Sequence, residues 1–236
     1  VMDGMTLLRT LKQDPRYAHI PVIMQTAAAA PDQVREGLNA GCYYYLTKPY
    51  KSTALTSIVH AALADLRLER LLADALASTP PVPATPNADY AFSTLEEARR
   101  LAALLAAQCP DPATVALGLS ELLINAVEHG NLGITYAEKT LFKREDRWEE
   151  EIARRLGLPE YHTKKASASF SRDDMQISFT ITDQGKGFEW QNYLDFDPQR
   201  AFDPNGRGIA IAGKLSFASL EYQGCGNRVV ATVKLR

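Results

Sequence analysis

The stretch Ser120–Asn131, SELLINAVEHGN, sets an unusual choice of polar groups into an otherwise apolar helix. At about 100° per residue, Glu121, Asn125 and Glu128 fall within one narrow arc, with His129 on its shoulder. Val115, Ala116, Leu119, Leu122, Leu123, Ala126 and Val127 fill the opposite side, so the helix is amphipathic. A solvated face normally mixes Lys and Arg with Glu, yet no Lys or Arg occurs between Ala113 and Gly130. Two carboxylates, an amide and an imidazole are ligand chemistry on one reading and a bare helix face on the other. The helix alone weighs them evenly.

The 236 residues are enough for two modest domains, and 46% hydrophobic with 23% charged residues is the composition of a globular chain with a sizeable core. The charge balance, 26 basic against 28 acidic residues and net -2, implies no nucleic-acid partner and no anionic-membrane partner. Cys42, Cys109 and Cys225 are scattered without a CxxC spacing, which argues against a disulfide framework or a zinc site. No apolar run has the length of a membrane span and no signal peptide is visible, so the expected location is cytoplasmic. The chain opens on Val1 inside a motif, which reads as a fragment.

STPPVPATPN (Ser78–Asn87), with four prolines in ten residues, marks a linker, because proline neither continues a helix nor enters a central strand. The expected domains are therefore 1–77, a linker over 78–88, and 89–236. In the first, IPVIMQTA and CYYYLTKP read as buried parallel strands flanking the helix PDQVREGLNAG, and a long helix (Thr53–Ala77) follows. That order predicts an α/β unit. In the second, two helices, TLEEARRLAALLAAQC and DPATVALGLSELLINAVEHG, precede a charged stretch, Ala137–Leu156, expected to be one helix with solvated faces. KASASFS and MQISFTITD alternate as half-buried antiparallel strands, and a hairpin turned at 224–227 closes the chain. Helices gathered on one face of such a sheet predict an α+β two-layer sandwich.

Two glycine groups complete the picture. DQGKGF (Asp183–Phe188) follows a strand, where glycines let the backbone approach a ligand and successive N–H groups can cradle an anion. NGRGIAIA (Asn205–Ala212) leads from glycines into a helix N-terminus, which favours phosphate. Either alone is weak. An E-x-x-x-N helix, then strand-DxGxG, then a polar loop, then GxG-helix is a specific order of parts.

That order, over residues 90–236, resembles the GHKL ATPase superfamily and its anti-sigma-factor serine kinase branch. The resemblance implies that Asn125 holds Mg²⁺, Glu121 is the general base for a hydroxyl acceptor, and Asp183 reads the adenine amine. It implies that Gly185 and Gly187 shape the adenine pocket, that Gly206 and Gly208 sit against the phosphates, and that the cofactors are ATP and Mg²⁺. Mg²⁺ takes oxygen donors and keeps waters, so one amide oxygen plus phosphates suffices. His129 reads as a cap near the helix end rather than an acid–base group, Glu128 as a solubilising residue, and Arg207 as either a γ-phosphate contact or an exposed loop residue. Residues 189–205 read as a lid. The insertion 137–162 lies outside the minimal ATPase fold and reads as a partner-docking element or, slightly in preference, a surface helix.

Residues 1–77 resemble the second half of a flavodoxin-like response-regulator receiver, truncated at its N-terminus, with Thr26 as the switch hydroxyl, Tyr45 as the switch aromatic and Lys48 as the phosphate-contacting lysine. The phosphoacceptor aspartate and the acidic metal pair of that family would precede Val1. The segment is therefore expected to order only through association, as a homodimer through the receiver half and its long exit helix, Thr53–Ala77. His60, without an H-box around it, reads as structural. Together the two resemblances imply a receiver, phosphorylated by an upstream kinase, that governs a serine/threonine kinase acting on an anti-anti-sigma-like partner. The rivals are an ATP-binding module that sequesters a sigma factor or antagonist, and a histidine-kinase catalytic domain, disfavoured by the missing H-box helices.

Overall fold

A computed structural model describes residues 2–27, 31–78, 85, 87–191, 209 and 212–235. Gly206, Arg207, Gly208, most of the expected lid and most of the linker lie outside the described residues. The chain forms two compact units, with the boundary between Glu69 and Arg70.

In the first unit, Asp3 caps α1 (Gly4–Gln13) by accepting from the Thr6 N–H at 2.8 Å. β1 (Ile23–Thr26), α2 (Pro31–Asn39), β2 (Tyr44–Thr47) and the part of α3 (Ser52–Ser78) up to Glu69 follow. β1 and β2 pair in parallel, from Ile23 opposite Tyr44 to Thr26 opposite Thr47. Alternation along β2 sends side chains to both faces. Tyr45 packs with Leu8, Val34 and Cys42, while Tyr44 and Leu46 pack with Ile58 of α3. Burial on both faces is why this strand reads as a continuous apolar run.

The second unit is a five-stranded antiparallel sheet in the order β3-β4-β5-β7-β6. Its strands are β3 (Tyr90–Phe92), β4 (Ala166–Arg172), β5 (Gln176–Thr182), β6 (Ser219–Gln223) and β7 (Arg228–Lys234). Ala168, Phe170, Ile177, Phe179, Ile181, Val229 and Ala231 are buried on one face, while Ser169, Ser171, Ser178 and Thr180 occupy alternate positions. Two packed helices supply the second layer. In α4 (Leu95–Ala106), Thr94 and Glu97 form a capping box; α5 (Pro112–Asn125) starts from Asp111, whose side chain accepts from the Thr114 N–H.

Three sequence expectations are corrected here. First, the helix of the opening stretch is α-helical only to Asn125; Ala126–Asn131 is a π-helical turn, closed by the Leu132 N–H donating to the Val127 carbonyl at 2.9 Å. The wider turn resets the angular phase, so Glu128 does not extend the arc of Glu121 and Asn125. Second, Glu128 is no solubilising residue: it is 3% exposed and paired with Lys139. Third, the stretch Ala137–Leu156 forms two helices, α6 (Tyr136–Arg144) and α7 (Trp148–Leu156). Asp146 between them has φ 56°, a left-handed conformation that interrupts a right-handed helix.

The faces of α6 and α7 are not all solvated either, since Glu151 and Arg155 are buried. The Arg155 fork donates to Glu151 Oε1 at 2.7 Å, Glu138 Oε1 at 2.6 Å and the Leu132 carbonyl at 3.0 Å, so its charge is buried with partners. Hydrogen bonds from Arg154, with those from Arg155, outweigh burial and hold the Glu151 carboxyl down at about 2. A depressed carboxylate contributes stability that is complete above its unfolded value and lost as pH falls through the folded one. Urea unfolding of the wild type should therefore weaken between about pH 4.5 and 2 more steeply than that of Glu151→Gln. Equal slopes would mean the carboxylate is unpaired in solution.

Candidate functional site

Glu121 and Asn125 stand one turn apart on α5, both half-buried. Gly118 lies on the same helix face, three residues before Glu121 and seven before Asn125. A Cβ at Gly118 would fall 2.4 Å from Ser216 Cβ and 2.8 Å from the Phe217 ring. The chain that follows the second glycine group therefore returns, through the π-helical turn Ala212–Ser216, against the face that carries the carboxylate and the amide.

The DxGxG segment meets the far end of the same helix. Asp183 is fixed by its N–H donating to the Asn227 carbonyl (2.9 Å) and by the Asn227 amide donating to its own carbonyl (3.2 Å). Its Oδ1 accepts from the Gly185 N–H at 2.7 Å. Gly130, in the π turn, approaches so closely that a Cβ there would lie 2.3 Å from the Asp183 carboxyl carbon. A Cβ at Gly185 would lie 2.6 Å from the Gly130 carbonyl. Asn131, 2% exposed, accepts from the Gln184 N–H at 2.9 Å. Gly187 has φ 76° and backs onto the Cys225 carbonyl of the closing hairpin.

Burial is the main influence on Asp183. It pushes the carboxyl up to about 6, opposed by the Gly185 N–H and the charge of Lys164. Nearby, Tyr222 is buried beneath Phe188 (edge-on, 5.2 Å) and Trp190 (stacked, 6.0 Å). Burial raises its phenol, and the Asp183 charge adds to the effect.

His129 bonds through Nδ1 to the Ile134 carbonyl; a carbonyl only accepts, so Nδ1 carries the proton. Burial, then the Lys139 charge, lowers its pKa. A ring spent on a backbone carbonyl fits the capping role. In the first unit, Thr26 ends β1 and its carbonyl accepts from the Lys48 N–H at 2.7 Å, placing both residues at the carboxyl ends of the parallel strands. Ligands of open α/β sheets bind at such ends. Tyr45 instead packs against α2, with Gly37 beside its ring.

Gly130 and Asn131 were missed as site residues by sequence reasoning. Their only signal was the HGN that closes the helix, which also reads as an ordinary helix stop.

Fold and site define a two-layer α+β sandwich joined to an α/β unit. The chain belongs to the histidine kinase-like ATPase domain family, whose match spans residues 86–233, well over half its length. The response regulator receiver domain family matches residues 1–60. A receiver joined to a kinase-like ATPase domain is the composition of a two-component signalling protein. Among curated proteins, the chain is similar to the chemotaxis protein CheY of Pseudomonas aeruginosa, 43% identical over 54 residues, which are 23% of this chain and 44% of that protein. It is also similar to the response regulator PleD of Caulobacter vibrioides, 40% identical over 60 residues, 25% of this chain and 13% of PleD. The chain spans less than half the length of these relatives. No solved structure matches it at a significant level.

Proposed function

We propose that the second unit binds Mg-ATP and transfers phosphate to a serine or threonine of a regulatory protein partner of the anti-sigma type, under control of the receiver. The observation that carries this reading is the close approach of Gly130 to Asp183, which joins the Glu121/Asn125 helix to the DxGxG loop. The residues fit the nucleotide. Asp183 Oδ1 is held by Gly185, while Oδ2 has no hydrogen-bond partner among the described residues and can accept from an adenine amine. Gly130 and Gly185 let the π turn and the DxGxG loop close on each other, which holds the Asp183 carboxylate in place.

Mg-ATP, when bound, supplies the phosphoryl group and the cation that neutralises its charge. Asn125 offers an amide oxygen suited to Mg²⁺, which needs few protein ligands. Glu121 takes the proton of the acceptor hydroxyl on a carboxylate oxygen; a module acting by sequestration alone needs no such group. Gly206 and Gly208 are assigned to the phosphates by their motif. In the receiver, Thr26, Tyr45 and Lys48 are the groups through which phosphorylation by an upstream kinase would bias the attached ATPase unit.

Incubation with labelled ATP and cell lysate, followed by identification of the labelled residue, tests the reading. Phosphoserine or phosphothreonine on a partner is expected, and Asn125→Ala should abolish both the label and calorimetric Mg-ATP binding. Phosphohistidine would select a histidine kinase. Tight nucleotide and partner binding without any label would select sequestration.

A further inference from the structure

We propose that the helix pair α6–α7 belongs to the nucleotide site, with Lys139 and Arg155 as positioning residues that hold the π turn Ala126–Asn131 against the Asp183–Gly187 loop. The assignment of a nucleotide to that loop rests on the function proposed above; the mechanical link does not.

The π turn is gripped from α6–α7 on either side of Gly130 and Asn131. Within the turn, the Lys139 ammonium bonds Glu128, and the same ammonium lies 5.5 Å from the Trp148 ring centroid. At its exit, Arg155 Nη1 donates to the Leu132 carbonyl at 3.0 Å. The guanidinium cannot swing away, because Glu151 and Glu138 hold its other edges. Glu138 is itself tied down, accepting from the Thr135 N–H at 2.8 Å and hydroxyl at 2.9 Å.

Between those grips lie Gly130 and Asn131, the two residues that touch the DxGxG loop. A π turn has fewer favourable hydrogen bonds than an α-helix and persists where its surroundings hold it. Both cations are nearly sequestered, their side chains 14% and 9% exposed, and both point at the turn. Ion pairs of a decorative surface helix would be solvated, and a docking element would keep its charges outward. Lys143, Arg144, Glu149 and Glu150 are exposed in that way, but Lys139 and Arg155 are spent inward on the turn that positions the loop.

The test compares the wild type with Glu128→Gln/Lys139→Met, which removes both charges together so that neither stays buried alone. Arg155→Lys serves as a milder second variant that keeps the charge and loses the fork. Amide hydrogen exchange is measured on the ligand-free protein, and Mg-ATP affinity by calorimetry. Exchange at Gln184 and Gly185, whose N–H groups bond Asn131 and Asp183, should rise on the order of tenfold while β4, β5 and β7 keep their protection. Affinity should fall severalfold in parallel. Faster exchange confined to α6–α7, or spread equally over the sheet, overturns the proposal. Should the wild type bind no Mg-ATP, the nucleotide assignment fails, and exchange alone still decides the link.

Discussion

Glu121→Gln is expected to slow phosphoryl transfer to a hydroxyl acceptor by on the order of 10²–10⁴-fold, with Mg-ATP affinity retained. The substitution keeps the size and the oxygen of the side chain and removes only its basicity. Phosphoryl transfer depends mostly on positioning and charge neutralisation, which Asn125 and the glycine loops are assigned. A base acts on the acceptor hydroxyl alone, so its loss belongs in the chemical step and not in binding. Single-turnover transfer and calorimetry on the same samples separate the two. A parallel fall in affinity and rate would make Glu121 part of the metal or nucleotide contact; an unchanged rate would remove its assignment as base.

Asp183→Asn is expected to move binding and stability in opposite directions. The amide can still accept from the Gly185 N–H through one oxygen, but it presents an NH₂ where the second carboxylate oxygen stood. That donor faces the adenine amine, so affinity should drop by about 1–3 kcal/mol, the range of a hydrogen bond to a charged group. Stability should rise. The folded carboxyl sits at about 6 against 3.8 unfolded, so the native state holds its proton more tightly. Between those two values the native state binds more protons than the unfolded one, and stability falls as pH rises. Above about pH 6 the wild type carries the full cost of a buried charge, on the order of 2 kcal/mol once solvent screening is discounted. The variant carries none. Thermal unfolding of the ligand-free proteins should coincide near pH 4 and separate, with the variant higher, by pH 7. A variant less stable than the wild type at pH 7 would show that the carboxylate is structural.

The same proton equilibrium acts on the proposed function, because an ionised Asp183 is the better acceptor for an adenine amine. Burial makes that ionisation costly, and the Gly185 N–H and Lys164 partly restore it. The residue to which adenine discrimination is assigned is thus held at the expense of the fold around it.

Much of this protein was legible in its sequence because the signals are local. Apolar runs with period 2 marked Ala166–Arg172 and Gln176–Thr182, and the continuous run around Tyr44 marked a strand covered on both faces. Asp111 with Pro112, and Thr94 with Glu97, marked helix starts through bonds spanning a few residues. The order of the Asn helix and the glycine groups carried the family. Tertiary structure alone decided what depends on side chains distant in the chain. The phase of the opening helix breaks after Asn125, where the turn is held by Lys139 and Arg155, so an arc drawn at a constant angle misplaced Glu128. Glu151 and Arg155 look solvated in a charged run, yet they are buried because each completes the other's hydrogen bonds. Gly130 became a site residue only when folding brought it against Asp183, 53 positions away in the chain as Asn131 is from Gln184. A glycine needed for such an approach looks, in sequence, like any glycine that ends a helix, because the atom it must avoid belongs to another part of the chain.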